Sequence, residues 1–239
     1  MTCRGLFVTG TDTGVGKTSV AVSIARHLRA EGRRVGVYKP VASGFRSVGD
    51  PRGDAVRLWE AAGRPLGPEM VCPQSFAAAA APARAARAEG RRVDERRLRS
   101  GITAWQAASD VVVVEAAGGL CSPLGDATLG IDLAREFCLP LVVVDAARLG
   151  MIGRVLVTVR AARAEGLRVA AVVVSAVEPL DLPGDDADSP GRIVSDGLAD
   201  LAALLPDLPI GLLSHAAERV SPSPDWWTLA AGLPAASRA

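Results

Sequence analysis

The sequence predicts an α/β fold: an open, doubly wound, mostly parallel sheet with helices on both faces. Three observations carry this. Short Val-rich runs alternate with stretches of helical periodicity. The runs are apolar throughout rather than at every second residue, as expected of parallel strands buried on both faces. The first run ends in a glycine-rich turn that opens directly onto an amphipathic helix, the local order of a strand, a phosphate-binding loop and a helix.

The elements follow in order. Strands are predicted at residues 5–9, 35–38, 111–114, 141–144, 169–174 and, briefly, 210–212. Helices are predicted at 17–30, 54–62, 95–108, 129–137, 151–164 and 190–204. Strands alternating with helices over short connections give parallel pairing. Ligands of such sheets bind beyond the carboxyl ends of the strands, and every motif singled out below falls at such an end. Residues 77–89 are nearly all Ala and Arg, broken by Pro82, and read as a loop leading into a helix. Residues 181–189, acidic with Pro and Gly, read as an exposed loop.

The chain has 239 residues, 49% of them apolar. That suits one domain spanning residues 1–239 and is short for two. Lys plus Arg number 27 against 26 Asp plus Glu, a balance that points to neither nucleic acid nor an anionic membrane as partner. No apolar run approaches the length of a membrane span, and the first strand leaves no room for a signal peptide. Cys3, Cys72, Cys121 and Cys138 are scattered without metal or redox spacing. They are expected as reduced thiols of a cytoplasmic protein.

The phosphate loop reads Gly10-Thr11-Asp12-Thr13-Gly14-Val15-Gly16-Lys17-Thr18-Ser19. Glycines let backbone N–H groups approach phosphate oxygens, the lysine supplies a point charge, and the threonine hydroxyl can ligate Mg²⁺. The standard pattern has glycine where this chain has Thr11. Lys39 closes the second strand, followed by Pro40, which biases it toward an extended backbone, and by Ser43-Gly44. Glu115 closes the third strand at the rim of the sheet, within reach of a metal on Thr18; Ala116-Ala117-Gly118-Gly119 then lets a ligand near the backbone. Asp54 follows Gly53 at a helix start, either as an N-cap or as a further oxygen ligand. His27 and His215 stand without evident partners, and no Ser-His-Asp or zinc spacing is present.

Together these segments resemble the dethiobiotin synthetase family, ATP-dependent ligases on a P-loop NTPase-like fold. The likeness rests on Val8 through Thr18, on Tyr38-Lys39-Pro40-Val41-Ala42-Ser43-Gly44, on Gly53-Asp54-Ala55, on Val114 through Gly119, and on Leu149-Gly150-Met151-Ile152. They occur in the family's order over the first two-thirds of the chain. Thr11 is itself the family's form of the loop, and the Lys-Pro-Val-x-Ser-Gly segment is the most discriminating piece.

The resemblance implies that 7,8-diaminononanoate and CO₂ or bicarbonate are joined with ATP and Mg²⁺, through a carbamate and a carbamic-phosphoric anhydride. It implies catalysis by Lys39, Lys17 and Thr13. Nucleotide contacts are implied from Gly14, Val15, Gly16, Lys17, Thr18, Ser19, Asp54, Glu115, Ala116, Ala117, Gly118, Ser175, Ser214 and His215. Thr18, Asp54 and Glu115 would hold the metal. Thr13, Ser43 and Gly118 would touch the substrate, and Leu149 and Gly150 would reach it from the second subunit of a homodimer.

This chain departs from the family at five places. Ala116 replaces a glycine, and its methyl would crowd the backbone were φ positive. Gly153-Arg154 replace an Asn-His pair, with Arg154 able to meet a substrate carboxylate by charge. Ser175-Ala176 and Ser214-His215 replace residues that read adenine, leaving other nucleoside triphosphates open. Only Pro82 survives of a Pro-His substrate loop. Three alternatives follow: a partitioning-type switch ATPase, disfavoured by Asp12 where a signature lysine belongs; a cobyrinate-type amide synthase, for which the chain is too short; and the same fold acting on another amine, or inactive.

Overall fold

The computed structural model describes residues 4–44, 53–180 and 189–231. Cys3 and residues 181–188 of the expected acidic loop lie outside them. The elements, in chain order, are β1 (Arg4–Gly10), α1 (Lys17–Ala30), β2 (Val35–Tyr38), β3 (Ala42–Ser43), α2 (Asp54–Ala61), α3 (Pro68–Val71), β4 (Ser75–Phe76), α4 (Pro82–Ala88), α5 (Glu95–Ser100), α6 (Ile102–Ala108), β5 (Val111–Gly119), α7 (Gly130–Phe137), β6 (Leu141–Ala146), α8 (Met151–Ala164), β7 (Val169–Ser175), α9 (Pro190–Leu204), β8 (Ile210–Leu213) and α10 (Trp226–Leu229).

Six strands form one parallel sheet in the order β2-β5-β1-β6-β7-β8. The Val-rich runs are buried from end to end: Val111 to Val114, Leu141 to Val144 and Val169 to Val174 all lie in the core. Uniform burial is what a sheet covered on both faces demands. All six predicted strands are present, and each predicted helix has its counterpart.

Two expectations are corrected. The helix predicted over 95–108 is interrupted at Gly101, where a Cβ would overlap the Tyr38 ring and hydroxyl. The Tyr38 hydroxyl lies 2.9 Å from the Arg97 carbonyl and 3.0 Å from that of Leu98, so the buried ring occupies the space a continuous helix would need. The strand expected to end at Val114 runs on to Gly119, with a register shift between Val8 and Gly10 of β1. Glu115 is thus not a rim residue but a buried member of β5, 1% exposed. Residues 42–43 and 75–76, for which no strand is predicted, form a small two-stranded parallel sheet of their own, β3-β4. Two-residue strands are too short to show a period in sequence.

This small sheet positions a wall of the site. Lys39 N–H donates to the Val71 carbonyl at 2.7 Å, Ala42 N–H to Gln74 at 2.9 Å and Gly44 N–H to Ala78 at 3.0 Å. The chain from Lys39 to Gly44 is thereby zipped to residues 71–78. The stretch expected as a loop leading into a helix is so: Pro82 opens α4 at its first turn, where a missing N–H costs nothing. Among the described residues no helix is long and apolar enough to cross a membrane.

Candidate active site

A cavity of about 1040 Å³ opens beyond the carboxyl ends of the strands. Its walls are the phosphate loop, the end of β5, the residue 39–44 segment, Ala79–Pro82 and the ends of β7 and β8. The phosphate loop has the backbone its glycines predict. Gly16 sits at φ +91° and caps α1; a Cβ there would collide with Ser175 Oγ. Backbone N–H groups at the start of a 14-residue helix face the cavity, a favourable field for anions.

Lys17 is buried and its Nζ donates to the Asp12 carbonyl at 2.7 Å. Burial pushes its ammonium below the ordinary lysine range, against the partial offset of Glu115. Lys39, 5% exposed, is the centre of a charged cluster. Its Nζ donates to Glu115 Oε1 at 2.7 Å and also to Asp54 Oδ2. Burial works against its charge, yet the two carboxylates hold its pKa above the ordinary value. Burial likewise would raise Asp54, and Lys39 more than offsets it, holding that carboxyl low. Thr18 Oγ1 donates to Glu115 Oε1 at 2.8 Å. Asp54 is therefore not the N-cap of α2: Gly53 occupies that position, and the carboxylate turns to Lys39.

Glu115 Oε2 is buried without a hydrogen-bond partner among the described residues. An orphaned carboxylate oxygen beside a threonine hydroxyl and a second carboxylate is a hard-oxygen set that suits Mg²⁺. Among the described residues no three His, Cys, Asp or Glu side chains gather for a metal. A magnesium ion bound with phosphate oxygens needs only one or two carboxylates.

Of the residues expected at the site, Thr13, Gly14, Gly16, Lys17, Thr18, Ser19, Lys39, Ser43, Asp54, Glu115, Ala116, Ala117, Gly118, Ser175, Ser214 and His215 all line this one cavity. Val15, Leu149 and Gly150 do not. Val15 points into the core, while Leu149 is 78% exposed outside the cavity. The Ser43 hydroxyl donates to the Ala80 carbonyl at 2.6 Å, which leaves it an acceptor toward a ligand. Ala116 has no positive φ, so its methyl packs in the core. Gly118, at φ +70°, is the residue of that run that needs to be glycine.

The histidines have partners after all. His27 lies 3.2 Å from Glu31, and His215 Nδ1 lies 3.2 Å from the Val177 carbonyl. Arg154 is not free to meet a substrate by charge, because its Nε lies 3.0 Å and 3.1 Å from the two oxygens of buried Asp145. Sequence reading missed Asp145, since an acidic residue after an apolar run has no partner visible in the sequence. It also missed Arg57, which lines the cavity and donates to Ser19 Oγ at 3.2 Å.

A family model described as an AAA domain matches residues 4–209. Curated relatives carry the name ATP-dependent dethiobiotin synthetase BioD. That from Anaeromyxobacter dehalogenans strain 2CP-C is 47% identical over 75% of this chain and 80% of its own. The one from Rhodopirellula baltica is 43% identical over 72% of each. A Bacillus cereus relative, strain B4264, is 39% identical over 74% of this chain and 73% of its own. Among solved structures, the cell division protein FtsY of Thermotoga maritima overlays 95% of this chain and 67% of its own, at 18% identity and a TM-score of 0.47.

Proposed function

This chain belongs to the dethiobiotin synthetase family, and from that premise we propose how its residues divide the work of an ATP-dependent ligase of biotin biosynthesis. Its substrates are 7,8-diaminononanoate and CO₂ or bicarbonate, with ATP as phosphoryl donor. One amine nitrogen bonds to CO₂ and releases a proton, giving a carbamate. A carbamate oxygen attacks the γ-phosphorus, and the bond to ADP breaks. The second amine then attacks the carbamoyl carbon, phosphate leaves, and the ureido ring is closed.

The supporting observation is the convergence of Lys17, Lys39, Thr18, Asp54 and Glu115 on one cavity wall. Carbamate and triphosphate are both anions, so their approach is opposed by charge. Lys17 and Lys39 offset that repulsion with donors fixed before the reactants arrive. Thr13 and Gly118 form the face on which the carbamate is held: a Cβ on Gly118 would lie 3.8 Å from Thr13 Oγ1. Ser43, its proton committed to Ala80, accepts from an amine N–H. Thr18, Asp54 and Glu115 are the residues that would hold Mg²⁺, which supplies charge neutralisation on the phosphates.

A homodimer belongs to the same proposal. Leu149, in the turn before α8, and Val157, on α8, are large apolar side chains 78% and 69% exposed. A second copy would cover these exposed apolar side chains and receive Leu149 and Gly150 at its cavity. A cytoplasmic location is part of the reading too, supported by the free thiols of Cys72, Cys121 and Cys138; burial pushes the Cys72 thiol up to about 11, which makes it inert.

Incubating the purified protein with 7,8-diaminononanoate, bicarbonate, Mg²⁺ and ATP tests the assignment. Dethiobiotin, identified by mass, is the expected product. Its absence with every nucleoside triphosphate would refute the proposal.

A further inference from the structure

Thr11 occupies the place where a standard phosphate loop has glycine, and its side chain is not idle. Its N–H donates to the Val144 carbonyl at 2.9 Å, and its Oγ1 donates to Asp145 Oδ1 at 2.5 Å. Asp145 is the next-to-last residue of β6, with its side chain 0% exposed. A carboxylate so deep needs compensating donors. The loop hydroxyl is one, and Arg154 in the first turn of α8 is the other, with Nε on both carboxylate oxygens. The same guanidinium donates through Nη1 to the Leu149 carbonyl at 3.3 Å. Its Nη2 is buried with no partner among the described residues, so its position is set by these contacts. The path Thr11, Asp145, Arg154, Leu149 therefore runs unbroken from the start of the phosphate loop to the exposed turn before α8. A planar guanidinium holding a carboxylate and a carbonyl at once has one geometry, so movement at either end is felt at the other.

We propose that Asp145 and Arg154 are positioning residues that join the phosphate loop to the Leu149–Gly150 turn, so that nucleotide binding orders that turn. When phosphate engages the loop amides, Thr11 is fixed, its hydroxyl fixes Asp145, and Arg154 fixes the Leu149 carbonyl. The coupling is a property of the nucleotide site and holds whatever amine the enzyme takes. It is particular to this chain in one respect: one arginine side chain donates to Asp145 through Nε and to the Leu149 carbonyl through Nη1, and a lysine could supply its charge but not two donors held in one plane.

Hydrogen exchange of the full chain, read by mass spectrometry with and without a non-hydrolysable ATP analogue and Mg²⁺, tests this. In the unaltered protein the analogue slows exchange both in the loop, residues 10–18, and at 147–153, the latter by at least about threefold. In Arg154→Met the loop is still protected but the turn is not, and Arg154→Lys recovers only part of the effect. Thr11→Val, which keeps the shape and removes the donor, uncouples the turn in the same way and serves should Arg154→Met fail to fold. Exchange at 147–153 that ignores the analogue in the unaltered protein, or that still slows in Thr11→Val, overturns the proposal.

Discussion

Lys39, Asp54 and Glu115, at one end of the cavity, are joined through the Lys39 ammonium; Lys39 and Glu115 are almost wholly buried and Asp54 partly so. Ser175, Ser214 and His215, at the other end, present short hydroxyls and an exposed ring whose described partner is a backbone carbonyl. The first end fixes charge before any ligand arrives, which is where electrostatic catalysis gains most. By the proposed function the second is where the base would lie, against two serine hydroxyls and a histidine ring. The contrast predicts that replacing a residue at the first end costs turnover, and replacing one at the second changes little.

Lys39→Ala puts the contrast to its hardest test. Removing the cation that serves one buried and one partly buried carboxylate should cost roughly 3–5 kcal/mol of stability in metal-free buffer. Turnover should fall by about 10³-fold or more, while affinity for Mg·ATP stays within a few-fold, because Lys17 and the loop amides are untouched. Excess Mg²⁺ should recover part of the lost melting temperature by occupying the carboxylates. Equal loss of turnover and nucleotide affinity would make Lys39 a nucleotide residue and dissolve the division between the two ends.

Next in size is an acid effect. Asp54 is held below its ordinary value of 3.8, burial being outweighed by Lys39. A carboxyl lowered on folding contributes stability that is present above its unfolded value and is lost as pH falls through its folded one. Lys39, raised on folding, contributes stability that is fully present throughout the acid range and is lost only in strong alkali. Urea midpoints of the unaltered protein should therefore drop more steeply below about pH 4 than those of Asp54→Asn. Parallel curves would mean that the ion pair adds nothing to folding.

The same contrast explains what was legible in the sequence. The strands were plain because parallel strands bury both faces and so cannot hide their composition. Lys17, Thr18 and Lys39 could be read because each sits at a fixed offset from a strand end or a glycine. The ion pairing of Lys39 with Asp54 and Glu115 joins residues 15 and 76 positions apart, which no local pattern records. Asp145 was overlooked for that reason as well: its partners are Thr11, 134 residues away, and Arg154 on the following helix. The break at Gly101 was invisible because its cause, the Tyr38 ring, arrives from another strand.

At the base end the expected effects are smaller. Ser175→Ala should change kcat/KM for ATP by less than about fivefold, since its hydroxyl faces Gly16 at the loop. By the same reasoning GTP and CTP should support turnover within about tenfold of ATP, because a site without a matched hydrogen-bond pattern discriminates weakly. Steady-state rates with each nucleotide measure both. A preference for ATP beyond about a hundredfold would show that backbone groups near Ala176 and Val177 read the base after all.

The smallest effect belongs to Ala116→Gly, which supplies the glycine that the family resemblance leads one to expect. Ala116 lies fully buried within β5, beside Glu115, and its φ is not positive. A glycine there gains no conformation the strand uses, gives up the packing of a buried methyl, and loses more chain entropy on folding. Stability should fall by about 0.5–1 kcal/mol, with kcat and KM unchanged, because the neighbouring Lys39–Glu115 contact is made by side chains that do not depend on that methyl. A gain in turnover would mean that the methyl narrows the approach of the phosphates. The committed end of the cavity would then owe its activity to backbone clearance as well as to charge.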